Sequence, residues 1–258
     1  MAYKIVFFDI DGTLLDEEKQ VPQDAAEAIR ALKANGIEPV IATGRAPYFF
    51  KPLAEQLGID SFVSLNGAYV VYKGKEVHQR HIPMTDLEQL VRLAEGRGHA
   101  LVFQGKESFH TNQAEHAAVF ASVNSLKVDQ PGYNPDFWRS EGIYQVFLHC
   151  ERHEEQGYIE TLPDLRFIRW HANAMDVLPR TGSKAEGIQA LLDALRLTPA
   201  DAVAFGDGLN DKEMLKLVGL GIAMGNSNEE LLPFADYVTS NVDEGGVRNG
   251  LVYAGCIA

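Results

Sequence analysis

Short apolar runs alternate with helical spacing at both ends of the chain. Residues 3–8 form an uninterrupted β-prone run that stops at Asp9-Ile10-Asp11-Gly12-Thr13, which predicts a buried strand opening into a turn. From residue 22 to 35, Ala25, Ala28, Ile29 and Leu32 share one helical face, and Gly36 follows as a stop. Residues 37–42 predict a second strand ending at Thr43-Gly44-Arg45; a helix through Leu53 and Leu57 then leads to a third strand at 62–65. The texture returns near the end, with a helix at 184–195, a strand at 202–205, a helix at 212–217 and short strands at 221–223 and 237–238. Strands alternating with helices imply parallel pairing through right-handed crossovers, so the expected fold is an α/β, doubly wound, Rossmann-like core.

The middle of the chain reads differently. A helix at 85–97 precedes a hairpin of 100–104 and 108–111 turning at Gly105-Lys106, then a helix at 114–124 and a Pro/Gly/Asn loop at 131–135. A strand at 144–149, a helix at 154–161 and strands at 167–171 and 175–178 complete it. The expected organisation is a core of residues 1–82 and 183–258 with an inserted α+β cap of residues 83–182.

Charge and composition narrow the function classes. The 258 residues include 23 Lys+Arg against 36 Asp+Glu, a net charge of −13. A surface that acidic repels nucleic-acid phosphates and anionic lipid, so neither nucleic acid nor membrane is an expected partner. No apolar run approaches the roughly 18 residues of a membrane span, and the N-terminal run meets Asp9 too soon for a secretory signal. Two cysteines, Cys150 and Cys256, make neither a disulfide framework nor a four-ligand zinc site. A cytoplasmic protein is expected. The pattern fixes no oligomeric state.

The chemistry gathers at strand ends, where open α/β sheets bind ligands. Asp9 and Asp11 follow the first strand, Thr43 the second, and Asp207, Asn210 and Asp211 the strand at 202–205, while Lys184 opens the preceding helix. Converging carboxylates repel unless a cation sits among them, and hard oxygen ligands suit Mg²⁺. Successive residues of an extended chain point to opposite sides, so Asp9 and Asp11 share a face. A nucleophilic Asp9, an acid/base Asp11, a lysine, a hydroxyl and Mg²⁺ match the needs of phosphoryl transfer. An EF-hand loop starting at Asp9 would need Gly and Glu where Leu14 and Gln20 stand. Walker-type, Gly-x-Ser-x-Gly and Gly-x-Gly-x-x-Gly signatures are lacking.

These residues resemble the haloacid dehalogenase-like hydrolase superfamily: Asp9-Ile10-Asp11-Gly12-Thr13, Thr43-Gly44-Arg45, Lys184, and Gly206-Asp207-Gly208-Leu209-Asn210-Asp211. Asn66-Gly67-Ala68 and the inserted cap are similar to the Cof-type (type IIB cap) sugar phosphatase branch. The resemblance implies Mg²⁺ held by Asp9, the main-chain oxygen of Asp11, and Asp207, with Asp211 supporting. It implies phosphate contacts from the Ile10 and Gly44 amides, the Thr43 hydroxyl, Lys184 and Asn210. Arg45 and Asn66 are candidate substrate contacts. The expected activity is Mg²⁺-dependent hydrolysis of a small phosphate monoester, such as a sugar phosphate, through an aspartyl-phosphate. A phosphomutase on the same scaffold and a phospho-accepting signalling domain are the alternatives.

Overall fold

The structure, a computed structural model, describes residues 3–258. The first stretch forms β1 (Ile5–Phe8), α1 (Gln23–Ala34), β2 (Glu38–Ala42), α2 (Pro47–Leu57), β3 (Phe62–Ser64), β4 (Tyr69–Tyr72) and β5 (Lys75–Gln79). Next come α3 (Met84–Arg97), β6 (Ala100–Gln104), β7 (Phe109–Thr111), α4 (Ala117–Ser125), β8 (Gly132–Tyr133) and α5 (Phe137–Ser140). They are followed by β9 (Gln145–His149), α6 (Glu155–Thr161), β10 (Leu165–His171) and β11 (Ala174–Pro179). The chain ends with α7 (Lys184–Leu195), β12 (Ala202–Gly206), α8 (Lys212–Leu217), β13 (Leu220–Ala223), β14 (Tyr237–Val238) and α9 (Gly246–Tyr253).

Two compact units result: the residues up to Arg45 with Phe50–Gln79 and Ser183–Ala258, and Ala46–Phe49 with Arg80–Gly182. In the first unit the sheet order is β14-β13-β12-β1-β2-β3-β4-β5. Strands β14 to β3 run parallel. Strand β1 is apolar throughout because both its faces are covered. Val6 and Phe8 pack into a layer with Ile29 and Leu32 of α1 and Leu251 of α9. Ile5 and Phe7 point the other way, towards Ile188 and Leu191 of α7 and Met214 of α8.

The sheet is not wholly parallel. Strands β4 and β5 pair antiparallel at its edge, because a single short turn, Leu65–Gly67, separates β3 from β4 and is too short to carry a crossover. Lys73 and Gly74 join them with φ of 49° and 74°, as a two-residue primed turn requires. The chain runs outward from β1 through β2 and β3 on one side and from β12 through β13 and β14 on the other. The switch point therefore lies between β1 and β12, where such sheets bind ligands.

The second unit has the sheet order β10-β11-β9-β6-β7-β8. One face packs Leu101, Phe103, Val146 and Leu148 against Leu90 of α3, Trp138 of α5 and Tyr158 of α6. The other places Ala100, Val102 and Phe147 against Val119 and Val123 of α4. Ile82 is buried in the first of these cores, and its amide donates to Ile143 O at 2.7 Å. The division thus lies at 79/80 rather than at the 82/83 boundary read from the sequence. Residues 46–49 cluster with this unit because Tyr48 stacks on Phe109 with centroids 5.6 Å apart. Part of the stretch read as a loop at 131–135 is β8.

His149 lies buried on β9, with Nε2 2.9 Å from Ser122 Oγ and Nδ1 3.3 Å from Ala100 O. Burial, reinforced by His116 and His171, pushes its pKa down from 6.5 to about 3. The imidazole stays neutral in the fold while the unfolded chain takes up a proton, so its contribution is complete above pH 6.5 and drains away as pH falls towards 3. The expected loss is roughly 1.4 kcal/mol per pH unit. Denaturant midpoints measured across this range should show a slope shallower by one proton in His149→Gln.

Both cysteines are free and buried. Among the described residues no helix is long and apolar enough to cross a membrane.

Candidate active site

Four chain segments meet at the carboxyl ends of β12, β1, β2 and β3. Strand β1 delivers Asp9, whose amide donates to Phe205 O of β12 at 3.0 Å. At Gly12 the chain turns back with φ of 74°, and a Cβ there would lie 2.3 Å from Asp207 Oδ2. Only glycine fits so close an approach. Thr13 is fully buried and donates to Asp207 Oδ1 at 3.2 Å, tying the first acidic loop to the second.

Lys184 is the first residue of α7, whose N-cap Ser183 accepts from Glu186 N through its side chain. The lysine is wholly buried. Its Nζ donates to Asp9 Oδ1 at 2.5 Å and to Asp211 Oδ1 at 2.7 Å. Burial alone would lower its pKa, but Asp211 and Asp9 outweigh burial and raise it, so the ammonium is charged. The second oxygen of Asp211 accepts from the amides of Asp207 and Gly208 at 3.1 and 3.0 Å. Both Asp211 oxygens are thereby engaged in holding Lys184 and the Asp207 loop.

Charge is out of balance here. Carboxylate oxygens of Asp9, Asp207 and Asp211 lie within 4.8 Å of one another, and one lysine offsets only one of three negative charges. Burial, followed by the neighbouring carboxylates, therefore raises the pKa of both Asp9 and Asp207 towards neutral pH. Hard, crowded oxygens with surplus negative charge fit a small divalent cation. Among the described residues this is the one group of such side chains that could hold a metal.

Thr43 is buried at the end of β2; its Oγ1 accepts from Arg45 N at 3.1 Å, which fixes the hydroxyl at the mouth of the loop. Asn210 donates from Nδ2 to Asn66 Oδ1 at 3.1 Å. The Ile10 side chain is fully buried, leaving its backbone as the part that lines the turn.

The haloacid dehalogenase-like hydrolase model matches residues 6–251. The chain belongs to the haloacid dehalogenase-like hydrolase family. The solved structure of a hypothetical protein from Geobacillus kaustophilus HTA426 is 46% identical, with a TM-score of 0.92 over 99% of this chain and 100% of the other. BT1666 from Bacteroides thetaiotaomicron, described among the phosphatases of this superfamily, is 30% identical, with a TM-score of 0.91 over 99% and 96% of the two chains. BT4131, described as a subclass IIB sugar phosphatase, is 27% identical, with a TM-score of 0.89 over 98% and 100%. This hydrolase is a phosphoric monoester hydrolase with the α/β, Rossmann-like fold of those neighbours.

Arg45, a candidate substrate contact, rests on Asp11 in the structure of the hydrolase. Its Nε donates to Oδ2 and its Nη2 to Oδ1, both at 2.7 Å, a two-point grip on the carboxylate. Lys19, which the sequence reading passed over, adds a third contact at 2.6 Å. Although burial alone would raise the Asp11 pKa, Arg45 and then Lys19 hold it below the ordinary range. Asn66 is 1% exposed and faces Asn210 and Gly44.

Proposed function

We propose that this hydrolase cleaves small phosphate monoesters, sugar phosphates foremost, through an aspartyl-phosphate on Asp9. The observation that carries this reading is the buried meeting of Asp9, Asp207 and Asp211 around Lys184, with negative charge left over. The description of BT4131 as a sugar phosphatase supports the substrate class.

An Asp9 oxygen attacks phosphorus, forming the new O–P bond as the ester P–O bond breaks. Asp11 delivers a proton to the departing oxygen, and for that it must first leave the ion pair with Arg45 and Lys19. Asp11 then takes a proton from water, which attacks phosphorus, releases inorganic phosphate and restores Asp9. Lys184 balances charge on the phosphoryl oxygens and holds Asp9 in place. The Ile10 and Gly44 amides, the Thr43 hydroxyl and Asn210 bind the remaining oxygens. Mg²⁺, held by Asp9, the main-chain oxygen of Asp11, and Asp207, would neutralise charge at the reacting phosphoryl group. Asp211 supports from behind.

A panel of phosphate esters assayed with Mg²⁺ and with EDTA tests the proposal. Orthophosphate release from hydroxylated esters, lost in EDTA, is expected; isomerised ester without net phosphate release would indicate a mutase.

The metal should also show a pH signature. The raised pKa values of Asp9 and Asp207 mean that the metal-free fold binds extra protons. Their contribution to stability is present below the ordinary carboxylate range and is lost as pH rises through neutrality. Mg²⁺ should therefore raise Tm more at about pH 8.5 than at about pH 5.5, where it must displace those protons. Equal shifts at both values in scanning fluorimetry would contradict this assignment of the metal ligands.

A further inference from the structure

Just beyond β3, Leu65, Asn66 and Gly67 take φ of 51°, 52° and 94° in succession. Two consecutive non-glycine residues in the left-handed region, both buried, are costly and persist only where the surroundings impose them. Three contacts impose them here. The amides of Leu65 and Asn66 donate to Arg45 O and Thr43 O at 3.2 and 3.1 Å, fastening the turn to the loop after β2. A Cβ at Gly67 would lie 2.0 Å from Ser183 O, so the turn also rests on the first turn of α7, which carries Lys184. Between these anchors the Asn66 carboxamide lies 3.0 Å from where a Gly44 Cβ would stand, and it accepts from Asn210 Nδ2 at 3.1 Å.

We infer that Asn66 is a positioning residue: its carboxamide aims Asn210 and backs Gly44, so that both present their phosphate donors in register, and it does not itself touch substrate. With 1% exposure and its amide oxygen engaged by Asn210, the side chain is closed to an incoming ester. Asparagine suits the place because it tolerates the left-handed region and carries an acceptor for Asn210. The inference rests on the phosphatase reading, since it concerns the residues that reading assigns to phosphate.

The test is a double-mutant cycle. Asn66→Gly removes the carboxamide while keeping the backbone at ease at positive φ. Orthophosphate binding by calorimetry in Mg²⁺, and KM and kcat for the best ester of the panel, are measured for the wild type, Asn66→Gly, Asn210→Ala and the double variant. Asn66→Gly should weaken orthophosphate binding and raise KM by about tenfold, the scale of one hydrogen bond to a charged group, with a smaller change in kcat. The double variant should be no worse than Asn210→Ala. Multiplying single effects, or unchanged phosphate binding in Asn66→Gly, would overturn the inference while leaving the phosphatase reading intact. A wild type that neither turns over any ester nor binds orthophosphate would overturn both.

Discussion

Replacing Asp9 by Asn is expected to reduce ester turnover by at least about 10³-fold, because the oxygen proposed to attack phosphorus is itself lost. The fold should survive the change. Asp9 accepts from Lys184, and an asparagine oxygen can accept the same bond while removing one charge from a pocket that holds three carboxylates. Relief of that crowding offsets the weaker pairing with the lysine. Unfolding curves should therefore place Asp9→Asn close to the wild type, so that lost turnover reports chemistry and not misfolding. Turnover within about tenfold of the wild type would assign the attack to water or another residue.

Lys184→Met is expected to be the most damaging single change to stability. The side chain is wholly buried between Asp9 and Asp211. Removing it strands both carboxylates without their counter-charge, a defect worth about 3–5 kcal/mol where one partner of a buried pair is deleted. The penalty should grow with pH, because the stranded carboxylates can take up protons at low pH and must ionise at high pH. Urea denaturation at several pH values would show it. A loss below about 1 kcal/mol at neutral pH would mean that the lysine is not the counter-ion the geometry makes it.

Much of this site was legible because burial on both sheet faces forces unbroken apolar runs, and the ends of those runs locate the loops. Strand β1 at residues 5–8 and β12 at 202–206 deliver Asp9 and Asp207 to the same edge, as their strand-end positions implied. The partner of Arg45 was not legible: a long, flexible side chain can reach several loops, and its path to Asp11 is settled by packing. Lys19 sits in an exposed turn that has no apolar periodicity, where its φ of 61° is invisible in sequence. The β4–β5 hairpin had a signal in Lys73-Gly74, but its outer strand, Lys-Glu-Val-His-Gln, offers a single apolar residue, Val77, because it forms the sheet edge. Helix α9 was missed because Gly246 and Gly250 thin its pattern; a Cβ at Gly250 would lie 2.3 Å from Phe205, so the sheet contact requires the glycine.

Asp11 links the geometry to turnover. Its ion pair with Arg45 and Lys19 describes a carboxylate at rest, whereas the proposed mechanism needs it beside the ester oxygen with a proton. In Asp11→Asn the second half-reaction lacks the base proposed for it, so the proposed covalent intermediate should outlive the first half-reaction.

The most direct measurement is to mix Asp11→Asn with the best ester and Mg²⁺, quench in acid, and map the modified peptide by mass spectrometry. One phosphoryl group on Asp9, absent in an Asp9→Asn/Asp11→Asn control, is the predicted result. Phosphate carried by any other residue, or no covalent phosphate on a variant that still releases alcohol, would contradict the account.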